Sequence, residues 1–209
     1  MDYSKAKQYI LGRMEKEVPL DFRYHNLRHS LDVLQSAERL ASAENITGKD
    51  LDLLKTAALF HDSGFIFQYT CNESVGCEIA RQSLPEFGYS ATDIERICGM
   101  IMATAVPQRP ANKLEQILCD ADLDYLGRGD FEIIAETLRE ELNHRGREFT
   151  EREWIAFQLD FMEKHRYFTE AARKLRDAMK RENIDKLKRA LHVAQKEGNQ
   201  KSEDRSQNK

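Results

Sequence analysis

The chain has 209 residues, a net charge of −4 and 41% hydrophobic residues. This length suits one domain of ordinary size with a core large enough to hold a pocket, and the composition excludes a disordered or fibrous protein. Acidic and basic residues are interspersed along the chain, which argues against a dedicated nucleic-acid-binding protein.

The predicted helices follow one another along almost the whole chain. Apolar residues recur at helical spacing, and the predicted helices cover residues 5–17, 27–44, 50–61, 72–84, 92–103, 114–125, 131–143, 169–180 and 184–196. A further helix begins at the capping box Thr150–Glu153, and Thr92–Glu95 has the same spacing. Asn72 is expected to cap the fourth helix. These signals predict an all-α fold, a compact multi-helix bundle.

Signals of export and of membrane insertion are not found in the sequence. The N-terminal segment has no apolar run of the kind that a signal peptide needs, and no stretch reaches the roughly 18 apolar residues of a membrane span. The four cysteines form no CxxC pair and are expected to be free thiols in a reducing compartment. We therefore expect a cytoplasmic protein that does not insert into a membrane.

His61 and Asp62 follow an apolar stretch in the segment TAALFHDSGF. Two ionisable groups at the end of a buried helix are costly unless a partner uses them. A neutral imidazole and a carboxylate are ordinary ligands of a divalent metal ion. For a lone pair of this kind, a helix cap or a core hydrogen bond is the alternative interpretation.

A second cluster contains His25 and His29, four residues apart in YHNLRHSLDV. Both rings share one face if the helix extends back to His25. If the helix begins later, His25 lies on the entry loop beside it. Either arrangement brings the two imidazoles close together, and two unrelated surface histidines are the alternative.

A third cluster contains three aspartates, Asp120, Asp122 and Asp124, in the segment CDADLDYLG. The residues around them are largely apolar, so each carboxylate needs a cation or a hydrogen-bond donor. Because Gly127 and Gly129 follow closely, capping of a helix end is the alternative.

Taken in chain order, the three clusters resemble the HD-domain metal-dependent phosphohydrolases, whose signature is a histidine, then a His-Asp pair, then a later aspartate. The resemblance covers residues 24–126. It implies that His29, His61, Asp62 and Asp122 bind one divalent metal ion. Asp122 is preferred to Asp120 because family members carry this ligand in an Ala-Asp pair before an apolar residue. Such ligands do not distinguish among Mn, Fe, Co, Ni, Zn and Mg.

The segment YHNLRHSLDV is also similar to the helix entry of class I cyclic nucleotide phosphodiesterases. That similarity implies that His25 is the general acid, and an imidazole suits this role because its usual pKa lies near neutrality. In the segment around Asn72 and Glu73 an asparagine stands where some relatives place a histidine, so a single-metal site is expected. Glu73 is either a pocket base that orients water or a first-turn carboxylate favoured by the helix dipole.

The resemblance implies a phosphohydrolase that cleaves a phosphomonoester or phosphodiester in a nucleotide or related small molecule. A metal-activated water is expected to attack phosphorus, with Asp62 helping to take its proton. Candidates for binding the phosphate, each otherwise a surface charge, are Arg28, Arg81, Arg109 and Lys113. The alternative is a non-catalytic HD-type module that binds a nucleotide and signals through its helices.

The expected domains are an HD-type catalytic domain over residues 1–145 and a helical extension packed on it over residues 146–196. Residues 197–209 have nothing apolar to bury and are expected to be a disordered tail. The amphipathic helices also allow a homodimer without showing one. The expected partner is a small-molecule phosphate ester.

Overall fold

The computed structural model describes the backbone of residues 1–207 and the side chains of residues 1–196. Within these residues there are nine α-helices and no strand, which confirms the all-α prediction. The helices are α1 (Tyr3–Glu17), α2 (Leu27–Ala43), α3 (Gly48–Phe60), α4 (Asn72–Ser83), α5 (Ala91–Ala103), α6 (Lys113–Asp122), α7 (Phe131–His144), α8 (Glu151–Lys164) and α9 (Glu170–Gln207). Three short 3-10 turns cover Ser63–Ile66, Leu84–Phe87 and Asp124–Gly127.

The chain divides into two compact units. The first contains Met1–Asp124 and Tyr167–Lys174, and the second contains Tyr125–Arg166 and the residues from Leu175 onward. The domain boundary expected near residue 145 stays a prediction, as does the packing of residues 146–196 on the preceding domain. The predicted tail, residues 197–209, lies outside the residues whose side chains are described. All the candidate site residues lie in the first unit.

Helix α3 is the centre of the first unit. It packs against α1, α2, α5 and α6, and its C-terminal half is buried on every side, as expected for a helix that is apolar all round. Its buried residues are Leu53, Leu54, Thr56, Ala57, Ala58, Leu59 and Phe60. Because α3 ends at Phe60, the next two residues, His61 and Asp62, emerge inside the protein.

The capping box of α5 lies two residues earlier than predicted. The Ser90 hydroxyl accepts a hydrogen bond from the backbone N–H of Asp93, and the Asp93 carboxylate accepts one from the backbone N–H of Ser90. The predicted pair Thr92–Glu95 is therefore wrong, and both residues lie inside the helix. The second predicted box, Thr150–Glu153, is confirmed at the start of α8.

Helix α9 continues through residues 181–183, where a break between two helices was predicted. These three residues include no glycine or proline that would end a helix. The amide of Asn183 donates to the carbonyls of Leu126 and Arg128 at 3.0 and 2.9 Å, so its polar group is satisfied within the second unit. None of the helices in the described part of the chain is long and apolar enough to cross a membrane.

Candidate metal centre

Two imidazoles and two carboxylates converge within the first unit. His29 Nε2 lies 3.1 Å from Asp122 Oδ1 and 3.4 Å from Asp62 Oδ2. His61 Nε2 lies 3.2 Å from Asp62 Oδ2 and 3.5 Å from Asp122 Oδ1, and the two Nε2 atoms are 3.4 Å apart. His29 Nε2, His61 Nε2 and a carboxylate oxygen of Asp122 form a group able to hold a metal ion. The structure thus brings together the four residues that the sequence nominated as ligands.

His29 is positioned by the start of α2. The side chain of Asn26 caps this helix by accepting hydrogen bonds from the backbone N–H groups of Arg28 and His29 at 2.9 and 3.3 Å. The Asn26 amide also donates to the carbonyl of Arg23 at 2.8 Å. Because the cap is Asn26, His25 lies on the entry loop and not on the helix, which decides between the two arrangements considered from the sequence.

The orientation of the His61 ring is fixed by a backbone carbonyl. His61 Nδ1 lies 2.9 Å from the carbonyl oxygen of Ala58 in the last turn of α3. A carbonyl only accepts, so Nδ1 carries a proton and Nε2 faces the other three side chains. A backbone carbonyl behind the ring is the usual support of a metal-binding histidine.

The two carboxylate oxygens of Asp62 have different neighbours, an amide for Oδ1 and two imidazoles for Oδ2. Its Oδ1 accepts a hydrogen bond from the amide of Asn72 at 3.3 Å. Its Oδ2 is buried and makes no hydrogen bond with the described residues. A buried carboxylate oxygen without a donor is costly, and a cation held with two imidazole nitrogens would satisfy it. The donor set therefore fits a divalent metal ion.

Asn72 reaches Asp62 because the chain approaches itself closely at Gly64. A Cβ atom added at Gly64 would lie 1.9 Å from the backbone oxygen of Asn72. Asn72 is the first residue of α4 and not its cap, since the cap position belongs to Cys71, which has a φ of 56°. The predicted cap at Asn72 is therefore wrong, and the side chain is used at the candidate metal centre instead.

Asp122 and Asp120 point to different surroundings. Asp122 Oδ1 faces the imidazoles, and its Oδ2 lies 3.4 Å from the donating amide of Gln108. Asp120 accepts hydrogen bonds from the backbone N–H groups of Phe168 and Thr169 at 2.7 and 2.8 Å, and from the Thr169 hydroxyl at 2.7 Å. Residues two apart on a helix point in nearly opposite directions, so only Asp122 faces the site.

The third aspartate, Asp124, is also held elsewhere. Its Oδ2 accepts from the Ser36 hydroxyl at 3.1 Å and lies 3.2 Å from the Arg39 guanidinium. The cluster of three aspartates thus divides into one residue at the candidate metal centre and two that tie α6 and the following turn to other segments of the first unit.

The ionisation of the site reflects its burial and its internal charges. Burial lowers the pKa of His61, but the charge of Asp62 and a hydrogen bond to Asp122 outweigh this effect and raise it well above the usual value. Burial raises the pKa values of Asp62 and Asp122, but the neighbouring histidines overcome it and lower both. The two carboxylates are therefore ionised and suited to a cation.

His25 lies beside the candidate metal centre in an aromatic cluster. Its ring stacks on Phe65, with centroids 4.2 Å apart and an interplanar angle of 27°. Its centroid is 6.1 Å from that of His29, and the Tyr24 ring meets it edge-on at 4.7 Å. The structure thus brings the two imidazoles of this segment close together, as the four-residue spacing predicted.

The four candidate phosphate-binding residues differ in their surroundings. Arg81 donates two hydrogen bonds to Glu95 at 2.8 and 2.9 Å, and Lys113 pairs with Glu44 at 2.9 Å. Arg28 and Arg109 are exposed and adjoin His29 and Gln108 in the chain. Arg28 and Arg109 are therefore the better candidates for binding a phosphate, because each is next in the chain to a residue that lies at the candidate metal centre or contacts one of its carboxylates.

Sequence reasoning did not nominate Asn72 or Gln108 as part of the site. A single amide carries no motif, and Gln108 lies in the loop PQRP, away from every histidine and aspartate of the signature. The available signal for Gln108 was that its loop precedes the helix that carries the aspartate cluster. Only the fold shows that both amides contact carboxylates of the candidate metal centre.

The chain is similar to a protein-family model and to solved structures of other proteins. Residues 26–124 match the family model of the HD domain. One similar solved structure is described as a predicted HD superfamily hydrolase from an uncultured Thermotogales bacterium, with 21% identity over 89% of this chain and 91% of that chain and a TM-score of 0.59. Another, from Lactobacillus plantarum, has 18% identity over 92% of this chain and 100% of that chain and a TM-score of 0.63. No curated protein matches.

Proposed function

We propose that the protein is a metal-dependent phosphohydrolase, from the premise that residues 26–124 match the family model of the HD domain. Its substrate is a phosphomonoester or phosphodiester, in a nucleotide or a related small molecule. The observation that carries the proposal is the convergence of four side chains, in which the Nε2 atoms of His29 and His61 each lie 3.1–3.5 Å from a carboxylate oxygen of both Asp62 and Asp122.

The residues that would hold the ion are His29, His61, Asp62 and Asp122. When bound, a divalent ion lowers the pKa of a coordinated water and neutralises charge on a phosphoryl group. One ion is proposed because Asn72, where some relatives carry a histidine, presents an amide that is already bonded to Asp62. An amide nitrogen has no lone pair to offer a metal.

The protein's own residues supply the proton transfers. Asp62 has an ionised carboxylate at the centre and is proposed to take the proton of the attacking water. His25, with its ring held between Phe65 and Tyr24, is proposed to protonate the leaving oxygen. The usual pKa of an imidazole side chain lies near neutrality, which suits a general acid.

Binding of the phosphate requires positive charge at the edge of the site. Arg109 is proposed for this role because it is exposed and follows Gln108, whose amide contacts Asp122. Arg28, next to His29, is the second candidate. A guanidinium binds phosphate oxygens with two parallel hydrogen bonds and keeps its charge at every working pH.

The proposal is tested by metal analysis followed by a metal-supplemented panel of nucleotides, cyclic nucleotides and small phosphomonoesters. Release of phosphate and formation of nucleoside are measured with Mn²⁺ and with other divalent ions in turn. Hydrolysis that is lost in His61→Ala and kept in His192→Ala, an exposed histidine of α9, is the expected result. Tight metal binding without hydrolysis of any ester would instead favour a nucleotide-binding signalling module.

A further inference from the structure

The side-chain amide of Gln108 has a nitrogen that makes two contacts and a buried oxygen that has no hydrogen-bond partner among the described residues. Its Nε2 lies 3.2 Å from the carbonyl oxygen of Cys119 and 3.4 Å from Asp122 Oδ2. Its Oε1 is buried and has no hydrogen-bond partner among the described residues. The orientation of the amide is determined, because a flipped amide would place Oε1 against two acceptors.

The contact with Asp122 is made on the side away from the imidazoles. Asp122 presents Oδ1 to His29 and His61, and Gln108 meets the other oxygen. Asp62 is held in the same way, since its Oδ1 meets the Asn72 amide while its Oδ2 faces the imidazoles. Each carboxylate at the candidate metal centre thus has a neutral amide behind it.

A purely structural role does not account for Gln108. A buried acceptor without a partner destabilises a fold, and an apolar side chain of the same length would fill the space without this cost. Residues that break a rule of stability are expected at functional sites. The polar end of Gln108 is therefore explained by what it does for Asp122.

We propose that Gln108 is a positioning residue that fixes the Asp122 carboxylate for metal binding, at the expense of stability. The inference rests on the proposed function in that it takes His29, His61, Asp62 and Asp122 as the ligands. Gln108 lies outside the signature of a histidine, a His-Asp pair and a later aspartate, and its effect on metal affinity is separable from its effect on stability.

The test compares Gln108→Met, which keeps the side-chain length and removes both polar atoms, with Gln116→Met. Gln116 is a half-buried glutamine of α6, the helix that carries Asp122. Mn²⁺ affinity is measured by calorimetry, the ligand field by the visible spectrum of the Co²⁺-loaded protein, and stability by thermal unfolding without metal. None of these readouts depends on turnover.

Gln108→Met is expected to weaken Mn²⁺ binding by about 10–100-fold, the usual effect of removing a group that orients a ligand, and to alter the Co²⁺ spectrum. Its Tm without metal is expected to stay within about 4 °C of the wild type or to rise, since 1 kcal/mol corresponds to about 2–4 °C at this size. Gln116→Met should match the wild type in affinity and spectrum.

Unchanged affinity and an unchanged Co²⁺ spectrum in Gln108→Met would overturn the inference and leave the proposed function intact. A large fall in Tm without metal would also overturn it, because Gln108 would then be a structural tether to Cys119. Conversely, a wild-type protein that binds Mn²⁺ and hydrolyses no ester would refute the proposed function alone. A wild-type protein that binds no divalent ion would refute both.

Discussion

His29 Nε2 lies 3.1 Å from Asp122 Oδ1, although 93 positions separate the two residues in the chain. This contact joins the N-terminal end of α2 to the C-terminal end of α6, and α3 places His61 beside both. Three helix ends thus meet at one point inside the first unit. The candidate metal centre depends on that meeting, so its properties should change with single residues in predictable ways.

Asp122→Asn should reduce metal affinity, whereas Asp120→Asn should reduce stability. Asp122→Asn removes a charged ligand and should weaken Mn²⁺ binding more than about 100-fold, beyond the effect of losing a supporting residue. Asp120→Asn leaves the centre intact but weakens its hydrogen bonds to Phe168 and Thr169. It should cost about 1–3 kcal/mol of unfolding free energy, because the new amide NH2 would face one of these donors and leave it without an acceptor. Calorimetry and denaturant unfolding measure the two effects, and the reverse assignment would show that Asp120 is the ligand.

Gly64→Ala should destabilise the protein and weaken metal binding together. The new Cβ would lie 1.9 Å from the backbone oxygen of Asn72, so the start of α4 must shift away from Asp62. A cost of about 1–3 kcal/mol or more is expected, as for overpacked sites. Gly12→Ala is the control, because its Cβ would meet nothing within 4 Å and an alanine there should stabilise α1 by about 0.5–1 kcal/mol. Equal stabilities of the two variants would contradict the close approach at Gly64.

Arg109→Ala should raise KM with little change in kcat if Arg109 binds the phosphate of the substrate. Loss of one charge-assisted hydrogen bond, about 1.5–3 kcal/mol, corresponds to an increase of roughly 10-fold or more. Lys113→Ala is the matched control because Lys113 is engaged with Glu44. Steady-state kinetics on any ester that the wild type hydrolyses gives the comparison. A similar KM for Arg109→Ala and the wild type would remove Arg109 from the site.

Because of Lys180, the unfolding free energy of the second unit should depend on pH in the alkaline range. Burial, together with the neighbouring Arg166, lowers its pKa to about 8 from an ordinary value of 10.5. Between these values the unfolded chain binds more protons than the folded one, so stability rises with pH by up to about 1.4 kcal/mol per unit. Below pH 8 both states are protonated and the contribution is constant.

Unfolding free energies of the wild type and Lys180→Met between pH 7 and 10.5 test this dependence. The rise above pH 8 should be absent in Lys180→Met and present in Lys186→Met, an exposed lysine of the same helix. Titrations shared by all three proteins cancel in the comparison. Parallel curves for the wild type and Lys180→Met would show that the lysine has its ordinary pKa in the fold.

Much of the fold was predictable because its signals are local. Helical periodicity placed α2 and α3 within a few residues, and the capping box Thr150–Glu153 marked the start of α8. The errors arose where two local patterns competed. Ser90–Asp93 and Thr92–Glu95 both have plausible capping residues, and only the backbone hydrogen bonds distinguish them.

The candidate site was predictable where ionisable residues stand within or directly after an apolar helix, as Asp122, His61 and Asp62 do. Its supporting residues were not, because their roles depend on contacts across the chain. Asn72 looked like a helix cap, yet it serves Asp62 through the close approach at Gly64. Gln108 lies in a loop with no local pattern, and its contact with Asp122 appears only once the loop is folded against α6.

Binding of a divalent ion to the four converging side chains is the central claim, and a calorimetric titration with Mn²⁺ tests it most directly. The wild-type protein, stripped of metal, should bind one ion per chain. His61→Ala should lose at least about 100-fold in affinity, more than the loss of a supporting residue, and His192→Ala should bind like the wild type. Equal binding by the wild type and His61→Ala, or no binding by the wild type, would contradict it.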